Sequence, residues 1–282
     1  MANQHETRTP ARERILLFIP AYNCAPQLPR VLAQLTHEVR ALLSEVIIVD
    51  NRSSDNGVEA AKAALSEPWS LPVKILQNDE NYGLGGSHKV AFNYALDHGF
   101  DYCIVLHGDD QGAIADLVAP IRAGAHRRVD CLLGARFMAG SKLAGYSPIR
   151  TLGNRAFNLL YSAVSGKWIY DLGAGLNLYA VSALASRSYL RHPNDLTFNY
   201  HMILTSIAEN WRIQFIPIEW REDDQVSNVK LVRQAIRVLR AALDYGFGRK
   251  AYLAADHSGA PAKRYSAKVI FETKAMAGEA AP

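Results

Sequence analysis

The segment LHGDDQ, residues 106–111, places two carboxylates and an amide directly after the apolar run Tyr102–Leu106. Hard oxygen donors at the mouth of a buried strand suit Mg2+ or Mn2+, an ion that shares its coordination with substrate phosphates. Successive side chains on an extended chain alternate sides. Asp109 and Gln111 are therefore expected to hold the ion, with His107 adding a nitrogen and Asp110 turned away to cap the next helix. A second polar cluster, VDNRSSDNG, sets Asp50 at the exit of another apolar run, where a carboxylate can accept hydrogen bonds from a base or ribose. Asp55 in the same cluster reads as a helix N-cap. A third, Pro20-Ala21-Tyr22-Asn23, stands where a dinucleotide site would need G-x-G-x-x-G, which argues against nicotinamide chemistry. The glycine-rich NYGLGGS, Asn81–Ser87, opens a helix whose free amides could face a phosphate, or forms a plain tight turn.

These clusters need elements to position them. Ile15–Ile19, Val46–Val49, Val73–Leu76, Tyr102–Leu106 and the run beginning Cys131–Leu133 read as buried strands. Between them, residues 26–43 and 84–98 carry apolar positions at helical spacing. Apolar strands separated by helices predict an α/β fold: one domain with a mainly parallel sheet flanked by helices. Ligands of such sheets sit at the carboxyl ends of the strands. That edge is where Pro20–Asn23, Asp50–Asp55 and His107–Gln111 fall.

Composition narrows the partners. The 282 residues are 49% hydrophobic and 21% charged, with a formal net charge of +4. This suits an anionic substrate or a membrane surface and does not indicate a nucleic-acid binder. Cys24, Cys103 and Cys131 are too few and too scattered for a disulfide framework or a zinc site, and a reducing cytoplasm fits them. No signal peptide is expected, and no apolar run reaches the roughly 20 residues that span a bilayer. Residues 1–13 and 251–282 read as tails around a 14–229 domain and an amphipathic helix over 230–250. In that helix Leu231, Ala235, Val238, Leu239 and Ala242 form the apolar stripe opposite Lys230, Arg233, Arg237 and Arg240. It could lie on a membrane or pack on the domain.

Taken in order, the motifs resemble family 2 glycosyltransferases of the GT-A fold, in the dolichol-phosphate mannose synthase and polyprenyl-phosphate glycosyltransferase branch. IPAYN, IIVDNRSSDNG, NYGLGGS, LHGDDQ, GARF (Gly134–Phe137), DLGAGLNLY (Asp171–Tyr179) and IPIEWREDDQVSN carry the resemblance from Ile15 to about Lys230. It implies an inverting, metal-dependent transfer of a hexose from a nucleoside diphosphate sugar to a polyprenyl phosphate of the dolichyl or undecaprenyl type. Pro20, Tyr22, Asn23, Asp50, Asn81, Gly83, Gly108 and Asp109 would line the donor site. Arg136, Arg221 and Ser227 would contact acceptor or phosphate, and Asp109, Gln111 and His107 the metal. Asp109 and Arg136 would act in catalysis.

Several positions depart from the pattern. His107 replaces an aspartate, Cys24 a glutamate, Asn51 an aspartate, Asn177 an arginine and Asn228 a lysine. A lipid phosphate is already anionic, whereas a sugar hydroxyl needs a general base; Asp171 and His201 are the candidates. Transfer to a cell-envelope or soluble glycan, a nucleotide-sugar-binding protein without turnover, and a nucleotidyltransferase are the competing readings. The expected setting is the cytoplasm, at the cytoplasmic face of a membrane or beside a membrane-embedded partner if the acceptor is a lipid.

Overall fold

The computed structural model describes residues 12–66, 69–222, 231–260 and 264–273. Its strands are β1 (Ile15–Ala21), β2 (Glu45–Asp50), β3 (Val73–Asn78), β4 (Tyr102–Leu106), β5 (Cys131–Ala135), β6 (Lys142–Ala144), β7 (Leu176–Ala180), β8 (Ile213–Pro217), β9 (Glu219–Arg221) and β10 (Ala267–Thr273). The helices are α1 (Leu28–Ala33), α2 (His37–Arg40), α3 (Gly57–Ala64), α4 (Gly83–Asp97), α5 (Val118–Arg122), α6 (Pro148–Ser165), α7 (Phe198–Ala208) and α8 (Leu231–Ala254).

Eight strands form one sheet in the order β10-β3-β2-β1-β4-β7-β5-β8. The ladders β3-β2-β1-β4 and β5-β8 are parallel, and β7 and β10 run antiparallel to their neighbours. Central strands β1 and β2 are apolar on both faces because a layer covers each face. Phe18, Val49 and Val105 point into one core with α4 and α7; Leu17, Ile48 and Ile104 point into the other with α1. The α/β expectation holds, and all five expected strands are present.

Three expectations change. Residues 26–43 break into α1 and α2, because Thr36 leaves helical geometry and its side chain caps the amide of Val39. The segment after Ala251, expected as a tail, finishes α8 and then supplies β10, which covers the outer edge of β3. An edge strand of this kind satisfies the free backbone groups of β3. The stripe expected along 230–243 also shifts: α8 buries Val238, Ala241, Ala242 and Tyr245 and leaves Leu239 in solvent.

The antiparallel sense of β7 positions the site. Leu176, its first residue, pairs with Leu106, the last of β4. The segment Asp171–Gly175 therefore reaches the same sheet edge as the exits of β1, β2, β4 and β5.

Candidate active site

The exits of β1 and β2 are tied together. Asn23, at a left-handed φ of 50°, accepts the Ser54 amide at 2.8 Å, and its own amide donates to the Ser53 hydroxyl at 3.1 Å. Asp55 accepts the amides of Ala25 (2.8 Å) and Gly57 (3.0 Å), so it joins two loops, and it stands one residue before Asn56, which takes the N-cap position of α3 expected for Asp55. Asp50 is buried and accepts from the Ser53 amide (3.1 Å) and Gln77 Nε2 (3.0 Å). Asn51 accepts from Asn78 and the Tyr82 amide and donates to Asn81. Above this floor the Tyr22 ring stands 53% exposed, an aromatic face open to a ligand.

Of the two readings of Asn81–Ser87, the phosphate loop and the plain tight turn, the second describes the start of α4, which is closed from within. Gly85 donates its amide to the Asn194 carbonyl at 2.9 Å, and Gly83 donates to Asn81 Oδ1 at 3.0 Å. A Cβ on Gly85 would lie 2.2 Å from the Pro193 carbonyl oxygen. These glycines exist so that residues 193–195 can press on the helix start. Asn81 and Gly83 thus spend polar groups expected for the donor inside the protein.

At the exit of β4, Gly108 donates to the Pro20 carbonyl (3.1 Å) and His107 to the Gly175 carbonyl (3.0 Å). Asp110 does not cap a helix. It adopts a φ of 59°, is buried, and accepts from Arg30 Nε (2.7 Å), Gln34 Nε2 (2.8 Å) and Arg221 Nη2 (2.5 Å). The left-handed turn replaces the extended geometry assumed for Asp109 and Gln111. Instead the Gln111 amide donates to Asp109 Oδ1 at 3.2 Å, and the Gln111 carbonyl accepts the Arg221 amide at 3.0 Å.

Burial drives the Asp109 carboxyl up to about 6, against the partly compensating amides of Gln111 and Asp109 itself. Burial, reinforced by the positive charge of Arg136, pushes His107 down to about 4, and its Nε2 has no hydrogen-bond partner among the described residues. The ring fits only because residue 175 is glycine: a Cβ there would lie 2.6 Å from it. Among the described residues no three His, Cys, Asp or Glu side chains converge as a complete metal cage. A half-buried carboxylate, with an unpartnered imidazole nitrogen two residues before it in the chain, fits an ion that takes much of its coordination from a phosphate ligand.

Arg136, leaving β5, is held by Asp171 through Nε (2.8 Å), Nη2 (2.9 Å) and its backbone amide (2.8 Å). Its guanidinium lies 5.0 Å from the Trp220 ring and 5.7 Å from that of Tyr146. Asp171 also accepts the Gly173 amide at 3.0 Å, so both oxygens are committed and neither is free for the base role expected of it. His201 is buried on α7 beside the Tyr252 hydroxyl (2.9 Å), with burial and neighbouring His257 and Lys89 holding it near 3. It too is withdrawn from proton transfer. Arg221 is half-exposed but bonded to Asp110 through Nη2 and Nε. Ser227, Asn228 and Lys230 lie outside the described residues.

Sequence reasoning missed Arg30, Gln34, Tyr146 and Trp220. Arg30 and Gln34 share a face of the first helix at i, i+4, but nothing local indicates that Asp110 is their target.

A model described as "Glycosyl transferase family 2" matches residues 17–186. The undecaprenyl-phosphate mannosyltransferase of Micrococcus luteus is 29% identical over 171 residues, 61% of this chain and 68% of the relative. The polyprenol monophosphomannose synthase of Mycolicibacterium smegmatis is 23% identical over 222 residues, 74% of this chain and 78% of the relative. A crystal structure of glucosyl-3-phosphoglycerate synthase from Mycobacterium tuberculosis, in complex with Mn2+, UDP and phosphoglyceric acid, superposes with a TM-score of 0.61. It is 14% identical, covering 91% of this chain and 86% of that one. At that identity the likeness concerns the fold.

Proposed function

We propose, from the premise that this chain belongs to glycosyl transferase family 2, that it transfers a hexose from a nucleoside diphosphate sugar to a polyprenyl phosphate. The observation that carries the reading is Asp109: a half-buried carboxylate, desolvated at the exit of a central strand, with Tyr22 at the exit of the neighbouring strand. Tyr22 would stack on the base, with Asn23 and the Asp50 loop shaping its edge. Asp109, with His107 and Gln111 beside it, would hold Mg2+ or Mn2+. Such an ion, when bound, neutralises charge on the departing diphosphate.

The acceptor follows from what the site lacks. Asp171 is locked to Arg136, and His201 is buried against Tyr252. Neither named base can take a proton, so an acceptor oxygen that is already ionised suits the site better than a sugar hydroxyl. The names of the two relatives above point the same way. Arg136, through the Nη1 that Asp171 leaves, and the half-exposed Arg221 would donate hydrogen bonds to the acceptor phosphate, and the work would be done at a membrane surface.

The test is a thermal-shift panel of UDP, GDP, CDP and their sugars with Mn2+ or with EDTA. It would be followed by sugar transfer to a short-chain polyprenyl phosphate. A metal-dependent shift with one nucleotide, and transfer abolished by Asp109→Asn, is expected. A folded protein that shifts with none of them overturns the donor reading.

A further inference from the structure

Two helices expose apolar residues in a pattern that the domain interior does not use. On α6, Ile149 and Leu152 are 84% and 72% exposed, and Leu159 continues the row at helical spacing on the same face. On α8, Ile236, Leu243 and Phe247 form a second row, Phe247 being 92% exposed. Each helix satisfies the core with a different face: α6 through Tyr161 and Ser162, α8 through Val238, Ala242 and Tyr245. The helices pack on each other, with the Tyr161 hydroxyl donating to the Val238 carbonyl at 2.9 Å and Gly246 lying against Val164. The exposed rows are therefore surplus to folding, and exposed apolar rows on two helices that pack together mark an interaction surface.

Charge selects the occupant. Arg155, Lys167, Arg240 and Lys250 are exposed on or just beyond these helices, against two exposed acidic residues, Asp244 and Asp256. A second copy would oppose like charge to like. An anionic bilayer would take the apolar rows into its interface and the basic side chains into its headgroup layer. Trp168, 63% exposed just beyond the end of α6, suits that boundary. No helix among the described residues is long and apolar enough to cross a membrane, so the contact would be made by helices lying in the interface.

We infer that the outer faces of α6 and α8 together form a docking surface for an anionic lipid bilayer. The inference deepens the lipid-acceptor reading and rests on it for its purpose. The start of α6 adjoins the acceptor side of the site. Arg150, next to Ile149, pairs with Glu222 at 2.6 Å and lies 4.8 Å from the Tyr146 ring, which in turn neighbours Arg136. A lipid phosphate held at the bilayer surface would thus enter beside Arg136 and Arg221.

The full chain would be floated with vesicles of phosphatidylcholine alone or mixed with phosphatidylglycerol. Binding to the anionic vesicles is expected, weakened by salt and at least about tenfold weaker for Leu152→Asp/Phe247→Asp. Arg155→Glu/Lys250→Glu provides a second variant that leaves every apolar contact in place and is expected to lose the preference for anionic vesicles. Circular dichroism and the nucleotide thermal shift, unchanged in both, separate loss of docking from loss of fold. Wild-type protein that shifts with nucleotide yet floats with neither vesicle overturns the docking surface and leaves the donor reading standing. Flotation without any nucleotide shift does the reverse. A wild-type dimer made monomeric by Leu152→Asp/Phe247→Asp assigns the face to a second copy and also overturns the inference.

Discussion

At the scale of single residues, Asp109 and Asp110 are neighbours with opposite environments. Burial favours the neutral form of Asp109, whereas the hydrogen bonds and charges of Arg30 and Arg221 hold Asp110 below the usual carboxylate range. Because the folded-state value of Asp109 is raised from 3.8 to about 6, this group destabilises the metal-free fold progressively as pH climbs through that window. A metal needs the ionised form, so protons compete with it below about pH 6. Titration calorimetry with Mn2+ and a nucleoside diphosphate is expected to show about tenfold weaker metal binding at pH 5 than at pH 7.5. Asp110 spends its carboxylate on Arg30, Gln34 and Arg221 and sits at the left-handed turn that follows Asp109. Asp110→Asn removes the charge facing Arg30 and Arg221. It is expected to lower kcat roughly tenfold, about 1.4 kcal/mol, and to raise the Mn2+ concentration needed for half activity. An unchanged metal requirement would show that the turn holds without the carboxylate.

At the scale of elements, the site depends on close approaches between loops. Arg136 and Asp171 join the exit of β5 to the entry of β7, and breaking one side of a buried ion pair leaves the other uncompensated. Asp171→Asn is expected to cost about 3–5 kcal/mol of stability, read as a lowered midpoint in urea. Gly85→Ala pushes a methyl into the Pro193 carbonyl and displaces the 193–195 segment that buried Lys89 also grips through Asn194. Its melting temperature should fall even though alanine is the better helix former. The strands, α4 and the polar exits were legible because each leaves a local period or a local composition. The split of α1 from α2 was hidden because the apolar spacing runs on through Thr36, and only its capping bond shows the break.

At the scale of the whole molecule, the sheet separates two cores and gathers the polar exits along one edge. Ligands that bind only the folded state should therefore stabilise the entire domain. A donor nucleotide with Mn2+ at 100 times its Kd is expected to add about 2.7 kcal/mol, reversed by EDTA. Strand β10 contributes at this scale too. It covers β3, while Tyr265 just before it bonds Lys89 at 3.1 Å and Asn194 at 2.8 Å. Truncation after Ala260 is expected to lower the melting temperature and promote aggregation through the uncovered edge, as light scattering would report.

By itself the sequence determined the α/β class, the strands and the sheet edge on which the polar exits gather. Those properties follow from local periodicity and from oxygen donors placed next to apolar runs. Tertiary structure alone decided which charges are spent and which remain available. Asp171 and His201 were eligible as bases until Arg136, Gly173 and Tyr252 claimed them. Asp110 was a helix cap until Arg30, 80 residues away, closed on it. Which apolar face of α8 meets solvent was settled by the packing of α6 against it. Hydrogen bonding and burial are properties of partners far apart in the chain, and a one-dimensional pattern does not record who those partners are.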